Sequence, residues 1–130
     1  MQDPAVLLLP GTLCTGAIFA QQVQALHSVA DRVEIVEFRT ENSIEAMARS
    51  VERSVPDGIR LAVAGFSMGG MVALAMAARY PERLAGLALL NSNCHAEIPG
   101  RRAARRQHLA MSRKMGMTRL FEEIYLPRYL

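Results

Sequence analysis

The 130-residue sequence predicts an α/β fold, a doubly wound parallel sheet with helices on both faces. Three observations carry that expectation. Short apolar runs alternate with stretches of helical periodicity in the order β-α-β-α-β-α-β. The runs are apolar at consecutive positions, as strands buried on both faces require. The connections between them are short, which suits right-handed crossovers between parallel strands.

Ala5–Leu9 (AVLLL), stopped by Pro10-Gly11, is the first strand. Phe19, Val23 and Leu26 then recur at helical spacing. Residues 32–38 (RVEIVEF) form the second strand, and because neither of its faces is cleanly polar it is placed near an edge of the sheet. Asn42 is expected to cap the next helix, with Glu45 three residues on completing a capping box. Ile44, Met47, Ala48, Val51 and Val55 form one apolar stripe, ended by Pro56-Asp57-Gly58. Residues 61–65 (LAVAG) are the third strand. Residues 68–79 are apolar nearly all round, the mark of a buried helix. Tyr80-Pro81-Glu82 stops that helix, and Leu84–Leu90 (LAGLALL) is the fourth strand. The expected spatial order is 2-1-3-4. Beyond Asn91 residues 101–109 and 118–126 read as helices around a Met115-Gly116-Met117 break. Residues 1–96 are therefore assigned to the core and 97–130 to a helical segment.

At 51% apolar and 21% charged residues, the composition is that of a globular chain with one real core. The net charge of +3 conceals an asymmetry: residues 1–100 carry 7 basic and 10 acidic side chains, and residues 101–130 carry 8 and 2. Cys14 and Cys94 are far apart and form no CxxC pair, so neither a disulfide framework nor a metal site is expected, and no cofactor. Met1-Gln2-Asp3-Pro4 lacks the basic residues of a secretory leader, and nothing approaches the ~20 apolar residues of a membrane span. The expected location is cytoplasmic, with no membrane partner.

The chemistry concentrates in Gly65-Phe66-Ser67-Met68-Gly69, a G-x-S-x-G pattern with a strand before it and a helix after it. A sharp strand-to-helix turn forces the serine into strained backbone geometry, so the positions two residues to either side must lack bulk. Gly65 and Gly69 meet that demand, and Gly70 lets the helix approach a neighbouring strand. The turn lifts the Ser67 hydroxyl clear of the sheet and aims the Met68 N–H, at a helix N-terminus, toward a developing oxyanion. The alternative is a glycine-rich turn that merely packs a helix on a sheet. The flanking strand and helix favour the nucleophile elbow.

These residues resemble the α/β-hydrolase family, closely over residues 5–92 and more loosely beyond. GFSMGG followed by AMAARYPERLAGLALLNS is similar to the elbow, helix and next strand of its small esterase and lactonase-like members. Pro10-Gly11-Thr12-Leu13 stands where the family has its oxyanion loop, with Pro10 in place of the usual His, and Phe19 falls where many members carry an aromatic. The resemblance implies Ser67 as catalytic nucleophile, with the backbone N–H groups of Thr12 and Met68 forming the oxyanion hole. Leu13 and His95 are expected to line the cleft. A serine at this place points to acyl chemistry on a small carboxylic ester or lactone, since relatives that cleave carbon–halogen bonds or epoxides use aspartate. Measured against the family, the sheet is truncated to about four strands, followed by the start of a helical cap.

In the family the triad acid and histidine follow later strands, and no such strands appear here. The histidines are His27 on the solvent side of the first helix, His95 after the fourth strand, and His108 in the basic segment. Asp31 and Asp57 precede strands, at the opposite edge of the sheet. No complete triad assembles from these groups, so the rival reading is a non-catalytic scaffold or interaction module. Cys14 and Cys94 have no identifiable activating base and read as small thiols. The arginines 101, 102, 105 and 106 lack aromatic interleaving, so a solvated helix face is expected and no nucleic-acid partner. Met111, Met115 and Met117 read as adaptable apolar filling. Residues 84–90 would leave an apolar edge, which predicts a homodimer through it or completion by a second chain.

Overall fold

The computed structural model describes residues 3–128 and 130; Met1 and Gln2, part of the leader argument, lie outside them. Four strands, β1 (Ala5–Leu9), β2 (Val33–Ile35), β3 (Leu61–Phe66) and β4 (Leu84–Leu90), form one parallel sheet in the order β2-β1-β3-β4. The helices are α1 (Ala20–Leu26), α2 (Ile44–Arg53), α3 (Met68–Arg79), α4 (Pro99–Met115) and α5 (Met117–Leu120). The chain divides into two compact units, one ending at Cys94 and the other beginning at His95.

In the first unit, β1 and β3 supply the centre of the core. Leu7 pairs with Val63 and Leu9 with Gly65, so Ala5, Leu7, Leu9, Leu61 and Val63 share one face of the sheet. Against it pack Ala48, Val51 and Val55 from the α2 stripe and Val72, Ala73 and Met76 from α3. The stripe expected from residue spacing is thus the one that is buried. Arg83 fastens this layer from behind. Its side chain is only 12% exposed and pairs with Asp57 at 3.1 Å, while Nη2 donates to the carbonyls of Val55 at 3.0 Å and Pro56 at 3.3 Å. A cation thereby satisfies carbonyls just beyond the C-terminus of α2.

Three local expectations change. The second strand is shorter than residues 32–38: Val36 still donates to the Leu8 carbonyl, but Glu37 leaves the ladder and accepts the Gly16 N–H at 2.6 Å. That bond, and secondly Arg39, holds the Glu37 carboxyl below its usual range. The cap of α2 is Ser43, not Asn42. Ser43 is extended (φ −152°, ψ 158°) and its Oγ accepts the Ala46 N–H at 3.1 Å, which leaves Glu45 one position too early for a reciprocal box. The helix around residues 101–109 runs further at both ends, from a proline at its first turn to Gly116, where φ is 85°.

In the second unit, α4 is followed by α5 and a widened π-type turn, Phe121–Tyr125. The His108 ring meets Tyr125 edge-on, with Nδ1 3.0 Å from its hydroxyl. Arg105 pairs with Glu97 at 2.9 Å. Among the described residues, no helix is long and apolar enough to cross a membrane.

Candidate active site

β1 and β3 are parallel neighbours with Leu9 opposite Gly65, so the loops after them leave the same edge of the sheet side by side. The order β2-β1-β3-β4 reverses direction at this pair, which is where open α/β sheets form ligand crevices. The two loops are Pro10–Thr15 and the turn at Ser67.

Ser67 has φ 53° and ψ −113°, a conformation that non-glycine residues avoid. The surroundings hold it there. Its N–H donates to the Leu90 carbonyl at 2.9 Å, and its own carbonyl accepts the Gly70 N–H at 3.0 Å and the Ser92 hydroxyl at 2.8 Å. The clamp at the end of β4 thus grips both sides of the strained residue. Ser92 was not singled out by sequence reasoning; the only hint was a hydroxyl residue two positions after the fourth strand.

The glycines are required by contact. A Cβ on Gly65 would stand 2.5 Å from the Gly70 nitrogen and closer still to the Gly69 carbonyl. One on Gly69 would stand 2.7 Å from the Leu9 carbonyl carbon, and one on Gly70 would collide with Ser92. The expected close approach at Gly70 is therefore to the segment after β4. Gly11 belongs to the same arrangement, since a Cβ there would be 3.2 Å from that of Ser67.

The Pro10 loop makes a turn closed by the Cys14 N–H to the Gly11 carbonyl at 3.1 Å. Leu13 sits at its third position with φ 61°, which glycine or asparagine ordinarily fills. Leu13 is 52% exposed. A hydrogen bond from Gly16 to Glu37 then pins the far end of the loop to the chain leaving β2.

Between these parts lies a cavity of about 260 Å³, walled by Thr12, Leu13, Cys14, Phe38, Met47 and Met68. It brings together the two backbone positions expected to serve an oxyanion and the leucine expected at the cleft. Phe38 and Met47 were not foreseen as site residues, being read only as strand and helix filling. His95 is exposed and opens the second unit, His27 is exposed at the end of α1, and His108 is engaged by Tyr125. Asp57 is committed to Arg83 at the opposite edge of the sheet.

The sequence model of the alpha/beta hydrolase fold matches residues 37–120, which spans α2, the elbow and β4. The chain belongs to the α/β-hydrolase family. Solved structures agree. A thermophilic esterase from Thermogutta terrifontis, determined with malate bound, superposes with a TM-score of 0.76 at 25% identity, over 95% of this chain and 49% of its own. A structure from work on the carboxylesterases of the thaumarchaeon Nitrososphaera gargenis gives 0.77 at 12% identity, over 93% and 49%. The thioesterase domain of the curacin biosynthetic pathway gives 0.60 at 22% identity, over 95% and 54%. The last two speak for the fold alone. This member of the hydrolase family spans about half the length of these structures. No curated protein matches it in sequence.

Proposed function

We propose that this chain carries the nucleophile half of a serine hydrolase that acts on a small carboxylic ester or lactone through an acyl-enzyme at Ser67. The observation that carries the reading is the strained Ser67 turn between β3 and α3, clamped by Leu90 and Ser92. Strain of this kind, about 1–3 kcal/mol, persists where a side chain must be presented in one direction. Ser67 Oγ attacks the ester carbonyl, and the Thr12 and Met68 N–H groups receive the oxyanion. A histidine takes the hydroxyl proton and returns it to the leaving alcohol, and water then releases the acid. The histidine and its carboxylate partner are assigned to polypeptide outside these 130 residues. The resemblance to a thermophilic esterase supports ester chemistry. Both thiols are free, in keeping with work in the cytoplasm.

A second reading rests on β4. It pairs with β3 along one edge, and residues 85–90 are all exposed, Leu87 at 43%. Parallel strands are ordinarily covered on both faces. This strand is therefore the proposed place where a second copy, or a second polypeptide, completes the sheet.

A fluorophosphonate probe, applied with the polypeptide that supplies the histidine and carboxylate present, tests the first reading. The probe should label the wild type and not Ser67→Ala. Absence of label on both would favour an inert scaffold. Gel filtration addresses the second: a clean monomer at all concentrations would exclude pairing between copies through β4.

A further inference from the structure

We propose that Glu37 is the positioning residue of the Thr12 loop: its carboxylate, held by Arg39, fixes where the Thr12 N–H points. The inference deepens the acyl-enzyme reading and rests on it, because Thr12 is the expected second oxyanion donor. The loop has few other restraints. Pro10 at its start has neither an N–H nor a polar side chain with which to brace it. Thr12 and Leu13 are exposed, and Leu13 keeps φ 61°, a conformation that persists only where the surroundings fix it. Gly11 anchors the near end against Phe66 and Ser67, and the far end hangs on Gly16.

Gly16 is buried, and a Cβ on it would stand 2.9 Å from Ile35 Cδ1 and 3.3 Å from Glu37 Oε1. Its N–H donates to Glu37 Oε1 at 2.6 Å, and Arg39 Nη2 donates to Oε2 at 2.9 Å. Both carboxylate oxygens are thus engaged, and these bonds, Gly16 first, keep the group charged and the contact strong. Arg39 is held in turn. Its backbone N–H and that of Thr40 donate to Glu41 Oε2 at 3.0 and 3.1 Å, and Glu41 Oε1 accepts the Ser50 hydroxyl at 2.7 Å. A chain of hydrogen bonds therefore runs from α2 to the loop, wholly within the first unit. A water would satisfy the Gly16 N–H equally well but would move with the loop, whereas Glu37 is fixed to the chain leaving β2.

Cys14 reports on the loop without turnover, being half-buried within it. In a Cys94→Ser background, Glu37→Ala should speed alkylation of Cys14 by iodoacetamide several-fold. Arg39→Ala, at a side chain 82% exposed where folding is not at stake, should speed it too, by less. The two substitutions change the local charge in opposite senses, so a field effect on the thiol would speed one and slow the other. Arg83→Ala, which weakens the fold at the opposite edge of the sheet, should leave the rate unchanged. Acceleration by Arg83→Ala as large as by Glu37→Ala would overturn the proposal, as would opposite responses or none to Glu37→Ala and Arg39→Ala. The fluorophosphonate reaction, with the histidine-bearing polypeptide present, separates the two readings. There Glu37→Ala should slow labelling of Ser67 roughly tenfold to a hundredfold. Labelling of wild type and Glu37→Ala at one rate sinks the positioning role alone. Accelerated alkylation with an unlabelled wild type sinks the nucleophile and keeps Glu37 as the brace of the loop.

Discussion

Replacing Gly65 by alanine adds one methyl group to a site with no room for it. The new Cβ would stand 2.5 Å from the Gly70 nitrogen and closer still to the Gly69 carbonyl. Real Cβ atoms keep at least 3.0 Å from such neighbours, so β3 and α3 would have to separate by half an ångström or more. None of the atoms struck is a side-chain end that can rotate away. They are backbone, and Gly69 is itself wedged against Leu9 on the other side. Overpacking a tight core costs about 1–3 kcal/mol, and a clash confined to backbone belongs at the upper end, about 3 kcal/mol. For a chain of this size that is a fall in Tm of roughly 12 °C. Thermal unfolding followed by circular dichroism reads the effect, with Gly100→Ala as control. Gly100 lies in α4 with open space around it, so alanine there should stabilise by about 0.5–1 kcal/mol. With the histidine-bearing polypeptide present, Gly65→Ala should also lose fluorophosphonate labelling, because Ser67 moves with the turn. A Gly65→Ala protein with wild-type Tm would refute the contact argument.

Other expectations follow from the same geometry. Ser67→Gly removes the backbone strain at φ 53° and should raise stability by about 1 kcal/mol while abolishing labelling; a destabilised variant in urea melts would contradict the strain assignment. Arg83→Ala strips the carbonyls of Val55 and Pro56 of their charged donor and should cost about 2–3 kcal/mol, with Arg83→Lys recovering only part of it; an unchanged denaturation midpoint would count against the clamp. The Ser50 hydroxyl, followed by backbone N–H groups of residues 39–41, holds the Glu41 carboxyl at about 2 against an ordinary 4.5. Because the folded value is the lower one, Glu41 stabilises the fold fully above pH 4.5, and this contribution is lost as pH falls toward 2. Glu41→Gln should therefore flatten the acid limb of the stability profile in that window, and an unaltered limb would disprove it.

The parts of the fold legible in the sequence are those governed by neighbours along the chain. AVLLL, LAVAGF and LAGLALL are apolar at consecutive positions and lie in the sheet, and the α2 stripe is buried because a 3.6-residue period lines up one face. Where a local signal had competitors, it went astray. Ser43 rather than Asn42 caps α2, because the choice between adjacent polar residues depends on where the chain turns, and Glu37 leaves β2 because Gly16 offers it a hydrogen bond from 21 residues away.

The candidate site divides along the same line. By itself the sequence determined the order of the four strands and the family, and it marked Ser67 and its two glycines, since an elbow is built within five consecutive residues. Only the tertiary structure brought Phe38 and Met47 to the Thr12 loop, set Ser92 against the Ser67 carbonyl, and gave Leu13 its left-handed turn. Those contacts join residues 25 or more positions apart or fix a conformation that leucine does not choose alone. They exist only once β1, β3 and β4 are in register, and no local propensity records that register in advance.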